Sequence, residues 1–445
     1  MPTFDRFGVP AGARTSLDEW KTFGDRRFRT FHGIGATAAA VFALAGDGLT
    51  IPLLLALGTP VAAATIIGVL PYAFSSAQLL VPSLLRRTDG NLRRVTLGIL
   101  ALGETRGFVL AGVVLLQQLH LIPTSAAIVA IAAVMSVAGA ASAIGGANLL
   151  AWYGAILAEG DRRFIAPRVM GITQGVGAVL LLPVALLVQA GLGAIGLLVY
   201  AIIFAIAGVF GIAELAVLRR LQHPGRVRVA ARGQAPPRSP ETNRFIRAVA
   251  IAAFGAGMGP YLSIYSISVL GLSAGFAVLL SAISSAAALA AATVVGGWLN
   301  RGSASRTLRL SFVLRGGSMI IGLFAFPGNP VAWLVLFVVA AMASAGASAA
   351  TLAANERLLR LTQGVDLIGA QGAFVAESAA GLTVGQTTSG LLLAILPLGY
   401  PAFALLFTVS GFTRLVLATR VEVSPKWSSA TAAFDVAELK RGRKD

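Results

Sequence analysis

Five charged residues lie where charge is expensive. Asp47, Glu104, Arg106, Arg315 and Glu377 each fall inside a long apolar run. A charge near the centre of a bilayer costs a few kcal/mol or more, so each calls for a partner or a task. A carboxyl group there can take up and release a proton, and a guanidinium can clamp a carboxylate. Counting about 1.5 Å per residue from the arginine-rich end of each run puts Asp47 about 20 Å deep, Arg106 about 17 Å and Glu104 about 14 Å. Asp47 and Arg106 can therefore meet at one level, while Glu104 and Arg106, two apart on a helix, point to different faces. Arg315 and Glu377 come out at about 10 to 12 Å, again matched. The same groups would also serve as static ion pairs within each bundle.

Other chemistry finds no residues to carry it. The chain has no cysteine, and His32, His120 and His223 are far apart, so no metal-ligand set is visible. No Ser/His/Asp set, pair of catalytic carboxylates or phosphate-binding Gly-Lys loop stands out. The expectation is a protein without metal or cofactor that is not an enzyme, driven by a gradient or by what it binds.

The elements that would position these charges follow from composition. Of 445 residues, 56% are hydrophobic and 12% charged, with a mean hydropathy of +0.82, too apolar for a surface facing water. Runs long enough to cross about 30 Å of hydrocarbon fall near 32–57, 60–84, 95–117, 123–150, 168–190, 193–218, 244–270, 273–299, 307–326, 330–355, 370–395 and 398–419. This predicts an all-α membrane protein of twelve transmembrane helices.

The net charge of +17 is topology rather than a nucleic-acid surface. Alternate connections carry the arginines: Arg86, Arg87, Arg93 and Arg94; Arg162, Arg163 and Arg168; eight across 219–247; Arg301, Arg306 and Arg309; Arg357 and Arg360. The intervening turns carry no Lys or Arg, so the positive-inside rule places both termini and the central loop in the cytoplasm. Arginines on that side should also hold anionic lipid headgroups. The expected organisation is a cytoplasmic N-terminal segment 1–31 with a short amphipathic helix capped by Ser16 and Glu19, a six-helix bundle 32–218, a Pro/Gly/Arg-rich linker 219–243, a second bundle 244–419 and a cytoplasmic tail 420–445.

The two bundles read as duplicates. Gly46-Asp47-Gly48 matches Gly255-Ala256-Gly257, Arg106-Gly107 matches Arg315-Gly316, Ala147-Asn148 matches Ala354-Asn355, and Gly171 and Gly175 match Gly381 and Gly385, all at offsets of 207 to 210. Two six-helix halves in one orientation make a parallel repeat about an axis along the membrane normal. The loop after the second run keeps Gly90, Arg93 and Arg94, with Arg87 where an acid is usual. Its counterpart reads Gly296, Asn300 and Arg301, with Asn for Asp. Over nearly its whole length the chain resembles the major facilitator superfamily, and Asn148, Trp152, Arg162, Arg163 and Arg168 add to the likeness.

That resemblance implies two bundles related by a pseudo-two-fold axis, a cavity lined by spans one, four, seven and ten, and secondary transport by alternating access. Cavity-lining candidates are Thr50, Asn148, Tyr261, Tyr265 and Asn355. Asp47, Glu104, Arg106, Arg315 and Glu377 are the candidates for proton coupling or substrate contact. Those four spans carry no interior Lys or Arg, which suits a small hydrophobic, amphipathic or cationic solute better than a phosphorylated one. The abundance of Arg and Ala suggests a bacterial plasma membrane, with the protein acting as a monomer. The alternative is a transporter-like sensor or scaffold that moves nothing.

Overall fold

The structure, a computed structural model, describes residues 26–156, 159–222, 239–259, 261–299, 304–361 and 367–420. The expected helix at Ser16 and Glu19, most of the central linker and the tail lie outside them, as do Asn300 and Arg301. Among the described residues all regular structure is helical.

In the first half, span one is two helices, Arg26–Ala45 and Asp47–Ala56. Span two is Val61–Ala73, a tighter turn Phe74–Leu80, and Val81–Arg87. Span three is Leu92–Glu104 and Arg106–Gln118, followed by Thr124–Ile156, Glu159–Ile195 and Leu198–Arg219 as spans four to six. In the second half, span seven is Pro240–Gly257 and Leu262–Ser268, and spans eight to twelve are Ala274–Leu299, Ala304–Gly322, Ala332–Leu361, Leu367–Ile395 and Tyr400–Arg420. Ten of these are long and apolar enough to cross a membrane on length and composition alone. Span nine falls short because it carries Arg306, Arg309 and Arg315, and span eleven carries Glu377 and the run Gln386 to Ser389. Span seven starts earlier than hydropathy suggests, because Ser239 Oγ accepts from the Thr242 amide at 3.1 Å and caps a polar first turn.

The packing repeats with the sequence. Span one packs on five and six, two on four, and three on four and six; span seven packs on eleven and twelve, eight on ten, and nine on ten and twelve. Adding six to each number of the first set gives the second. The halves meet through five against eight and two against eleven, which is one contact generated twice by the pseudo-two-fold axis.

Close helix approach depends on a glycine seam that is also duplicated. A Cβ on Gly107 would lie 2.6 Å from the Phe204 carbonyl, and one on Gly211 would strike the Glu104 carbonyl, so spans three and six touch backbone to backbone. In the second half, Cβ atoms on Gly316 and Gly411 would lie 3.0 and 3.1 Å from each other's carbonyls. Small residues commonly allow such contact where lipid gives no hydrophobic drive between helices. The pairs Gly171/Gly175 and Gly381/Gly385 match in sequence and differ in use. The first faces Leu289 of span eight across the halves, and the second packs on the backbone of span seven within its own half.

The loop after span two is a tight turn with Asp89 (φ 51°) and Gly90 (φ 72°) in the left-handed region. Asn91 caps the next helix by accepting from the Arg94 amide at 3.0 Å. Arg93 Nη2 donates to the Arg219 carbonyl at 2.6 Å, a cation at the carbonyl end of span six. Gly296 lies within Ala274–Leu299.

Candidate functional site

The site begins with a broken helix. Gly46 takes an extended conformation (φ −100°, ψ −172°), so span one ends at Ala45 and restarts at Asp47. A Cβ at Gly46 would collide with the Phe42 carbonyl, so the break needs glycine. Span seven also breaks, a few residues later than its counterpart, after Gly257.

The break turns Asp47 into a cavity of about 390 Å³ lined almost wholly by the first half. Span one contributes Phe42 and Asp47, span two Tyr72 and Gln78, and span four the strip from Met135 to Ala147, while Val375 closes it from span eleven. The Tyr72 hydroxyl donates to Asp47 Oδ2 at 3.1 Å, and Tyr261, held by a 2.7 Å bond from Gln386 Nε2, stands behind them. The lining on spans two and four runs from mid-helix toward the arginine-rich ends. Toward the other side the halves are in contact: Asp47–Ala56 meets span eight and Leu262–Ser268, and a Cβ on Gly48 would lie 2.8 Å from Ser281 Oγ. The cavity therefore sits in the arginine-rich half of the bundle, beneath a closed opposite end.

Solved structures share this architecture. An inward-facing bacterial homologue of the iron transporter ferroportin superposes with a TM-score of 0.62 at 15% identity, covering 89% of this chain and 98% of its own. The nucleoside transporter NupG gives 0.58 at 14%, with 88% and 97% covered. A transporter of the POT family, solved with a thioalcohol-conjugated peptide, gives 0.65 at 16%, with 96% and 98% covered. The chain has the major facilitator fold. At such identities the likeness is one of fold, and neither a family profile nor a curated protein matches the sequence.

Within this major facilitator fold, Arg106 requires a correction to the expected cavity. The expected lining came from spans one, four, seven and ten, which carry no interior cation; among the described residues spans seven and ten line no part of this cavity, and Arg106 of span three, already a candidate for substrate contact, does. Span three breaks at Thr105, and Arg106 shares the cavity lining with Ala138, Gly139, Ser142 and Gly146 of span four. Its Nη1 donates to Ser142 Oγ at 3.4 Å, and its charge acts on Asp47.

Glu104 points the other way, into the bundle. It is 6% exposed and lies across the glycine seam from span six, which carries Glu214, itself 3% exposed. Arg106 lies within electrostatic reach of both. Glu214 is absent from the sequence candidates, although it lies within the sixth apolar run. Its signal was its counterpart, because 200 residues later, at the same step past the seam glycine, stands Arg414.

Arg315 stays in the second half. The charged neighbour beside it is Arg414, whose Nη1 donates to the Arg315 carbonyl at 3.3 Å. Glu377 is half-buried on span eleven and outside the cavity lining. Three expected cavity residues prove to be wall or core. Thr50 bonds the Gly46 carbonyl at 3.0 Å and faces Met135. Asn148 is fully buried behind the lining. Tyr265 turns away, donates to the Ala325 carbonyl and packs on Phe403 and Phe407. Asn355 is half-buried on span ten and also outside the lining.

Proposed function

We propose that the chain is a secondary active transporter that moves a small hydrophobic, amphipathic or cationic solute by alternating access, coupled to protons. The observation that carries the reading is Asp47, an acid at a helix break, held by Tyr72 and facing a cavity of the first half that Val375 of the second half closes. A broken span at the interface of repeats is the usual place for such a site. Phe42, Met135 and Val375 offer an apolar surface to the solute body. Arg106 does not reverse the preference for cations, because Glu104 and Glu214 stand behind it and leave Asp47 to the cavity.

The arginine-rich side is the cytoplasm of a bacterial cell, both termini lie there, and its arginines sit against anionic headgroups. The unit is the monomer, with its site formed within one chain. Proteoliposomes carrying an imposed pH gradient test this with ethidium, a nucleoside, a dipeptide and Fe²⁺ as probes. Ethidium flux that follows the gradient and falls at least tenfold in Asp47→Asn, with normal insertion, is expected. Absence of flux for every probe would favour a sensor or scaffold, and unchanged flux in the variant would remove Asp47 from the mechanism.

A further inference from the structure

On the seam of spans nine and twelve two arginines come together without an acid. Arg315 and Arg414 stand on helices that Gly316 and Gly411 bring backbone to backbone, and Arg414 Nη1 donates to the Arg315 carbonyl at 3.3 Å. Arg414 is 4% exposed, and its Nε is buried without a hydrogen-bond partner. That carbonyl is the only acceptor either guanidinium finds among the described residues, and neither makes an ion pair there. A guanidinium cannot shed its proton to escape the cost of burial, because it stays charged at any ordinary pH.

The surroundings hold both side chains within the bundle. A Cβ on Gly346 of span ten would lie 2.6 Å from Arg315 Cγ, and one on Gly255 of span seven would lie 3.6 Å from Arg414 Cγ. Counted along their helices, both residues lie about 10 Å inside the arginine-rich ends. A long cation at that depth ordinarily snorkels to the headgroups, whereas Arg414 reaches across to span nine. The buried hydroxyls of the same two helices are neutral and already committed. Ser311 donates to the Leu308 carbonyl, Ser318 to the Arg315 carbonyl and Ser410 to the Gly255 carbonyl, at 2.6 to 2.8 Å.

The first half builds the same seam with different charges. At the step past the seam glycine where span twelve has Arg414, span six has Glu214, and Arg106 matches Arg315. One half therefore carries an acid at this position and the other a second cation. Two buried cations side by side are strongly unfavourable unless an anion offsets them, and the N–H forks of two arginines are suited to holding one. We infer that Arg315 and Arg414 hold a small inorganic anion of the chloride class, which supplies in the second half the negative charge that Glu214 supplies in the first. The depth of the pair favours a free ion over a lipid phosphate. Both arginines are outside the cavity lining, so the ion is a fixed part of the bundle rather than cargo, and the inference does not depend on the transporter reading.

The melting temperature of the purified full-length protein in a nonionic detergent tests this at constant ionic strength, with gluconate replaced stepwise by chloride or bromide. An anion that binds only the folded protein stabilises it as its concentration passes the Kd, so the native protein should melt roughly 3 °C higher in either halide, on a saturable curve. Arg414→Glu places an acid where the first half has one. It should lose the halide response while melting at least as high as the native protein does in gluconate. Arg414→Gln, with one cation fewer, should need at least tenfold more halide for the same shift. Native protein that melts alike in halide and gluconate, or variants that keep the full response, would overturn the proposal. So would stabilisation that arrives with added phosphatidylglycerol and not with halide, because a lipid phosphate would then supply the charge. Anomalous scattering from crystals grown in bromide locates the ion without any variant: a peak beside Arg315 and Arg414 is expected, and bromide bound only elsewhere would equally overturn the assignment.

Discussion

Asp47 shows how far a single residue can be read from sequence. An acid flanked by glycines inside an apolar run signals a functional site in a membrane. Its match in the repeat is Ala256, so the asymmetry between the halves is legible in the chain itself. What the sequence could not supply was the donor. Tyr72 reaches Asp47 from another helix, and nothing local distinguishes it from Tyr265, which bonds a carbonyl in the core. The Tyr72 hydroxyl stabilises the Asp47 carboxylate, and a hydrogen bond to a charged group contributes about 1.5–3 kcal/mol. Tyr72→Phe keeps the ring and removes the donor. Ethidium titrated by fluorescence should then bind roughly tenfold more weakly, since about 1.4 kcal/mol is a factor of ten. Tighter binding would mean that the hydroxyl occupies a position the solute needs.

At the scale of elements, hydropathy located the spans and the arginines oriented them, but neither could say which helix faces lie together. The seam of spans three and six illustrates the gap. Gly107 and Gly211 look ordinary in a chain of 51 glycines, and only packing shows that their missing side chains bring Glu104 to Glu214. Sequence came close, because the offset of 209 linked Arg106-Gly107 to Arg315-Gly316. It missed Glu214 because the offset shortens to 200 by span six, beyond the fixed spacing sought. The seam predicts opposite outcomes for one substitution at two sites. Gly211→Ala drives a methyl into the Glu104 backbone and should cost about 1–3 kcal/mol. Gly112→Ala on span three meets open space and should be neutral or stabilise by up to about 1 kcal/mol through helix propensity. Melting temperatures of the two variants in one detergent check this, and equal destabilisation would show that the seam is not close-packed.

Across the whole molecule, the closed end and the cavity are two views of one state. Alternating access requires the contacts between span one and span eight to part when the site opens to the arginine-poor side. The chain has no cysteine, so a bridge can be introduced without background. A Cβ at Gly48 would stand 3.2 Å from the Ser281 Cβ, so an outward shift of a few tenths of an ångström brings the pair into the span of about 3.5–4.5 Å that disulfides occupy. The paired variant Gly48→Cys with Ser281→Cys should therefore oxidise readily and hold the far side shut. Ethidium flux should stop on oxidation and return on reduction, while each single variant keeps its flux. A cysteine at Ala147, on the cavity lining, should stay open to a membrane-impermeant maleimide added from the arginine-rich side of the oxidised protein. Loss of labelling on bridging would mean that the two ends close together, which rocking of rigid halves about a central site does not permit.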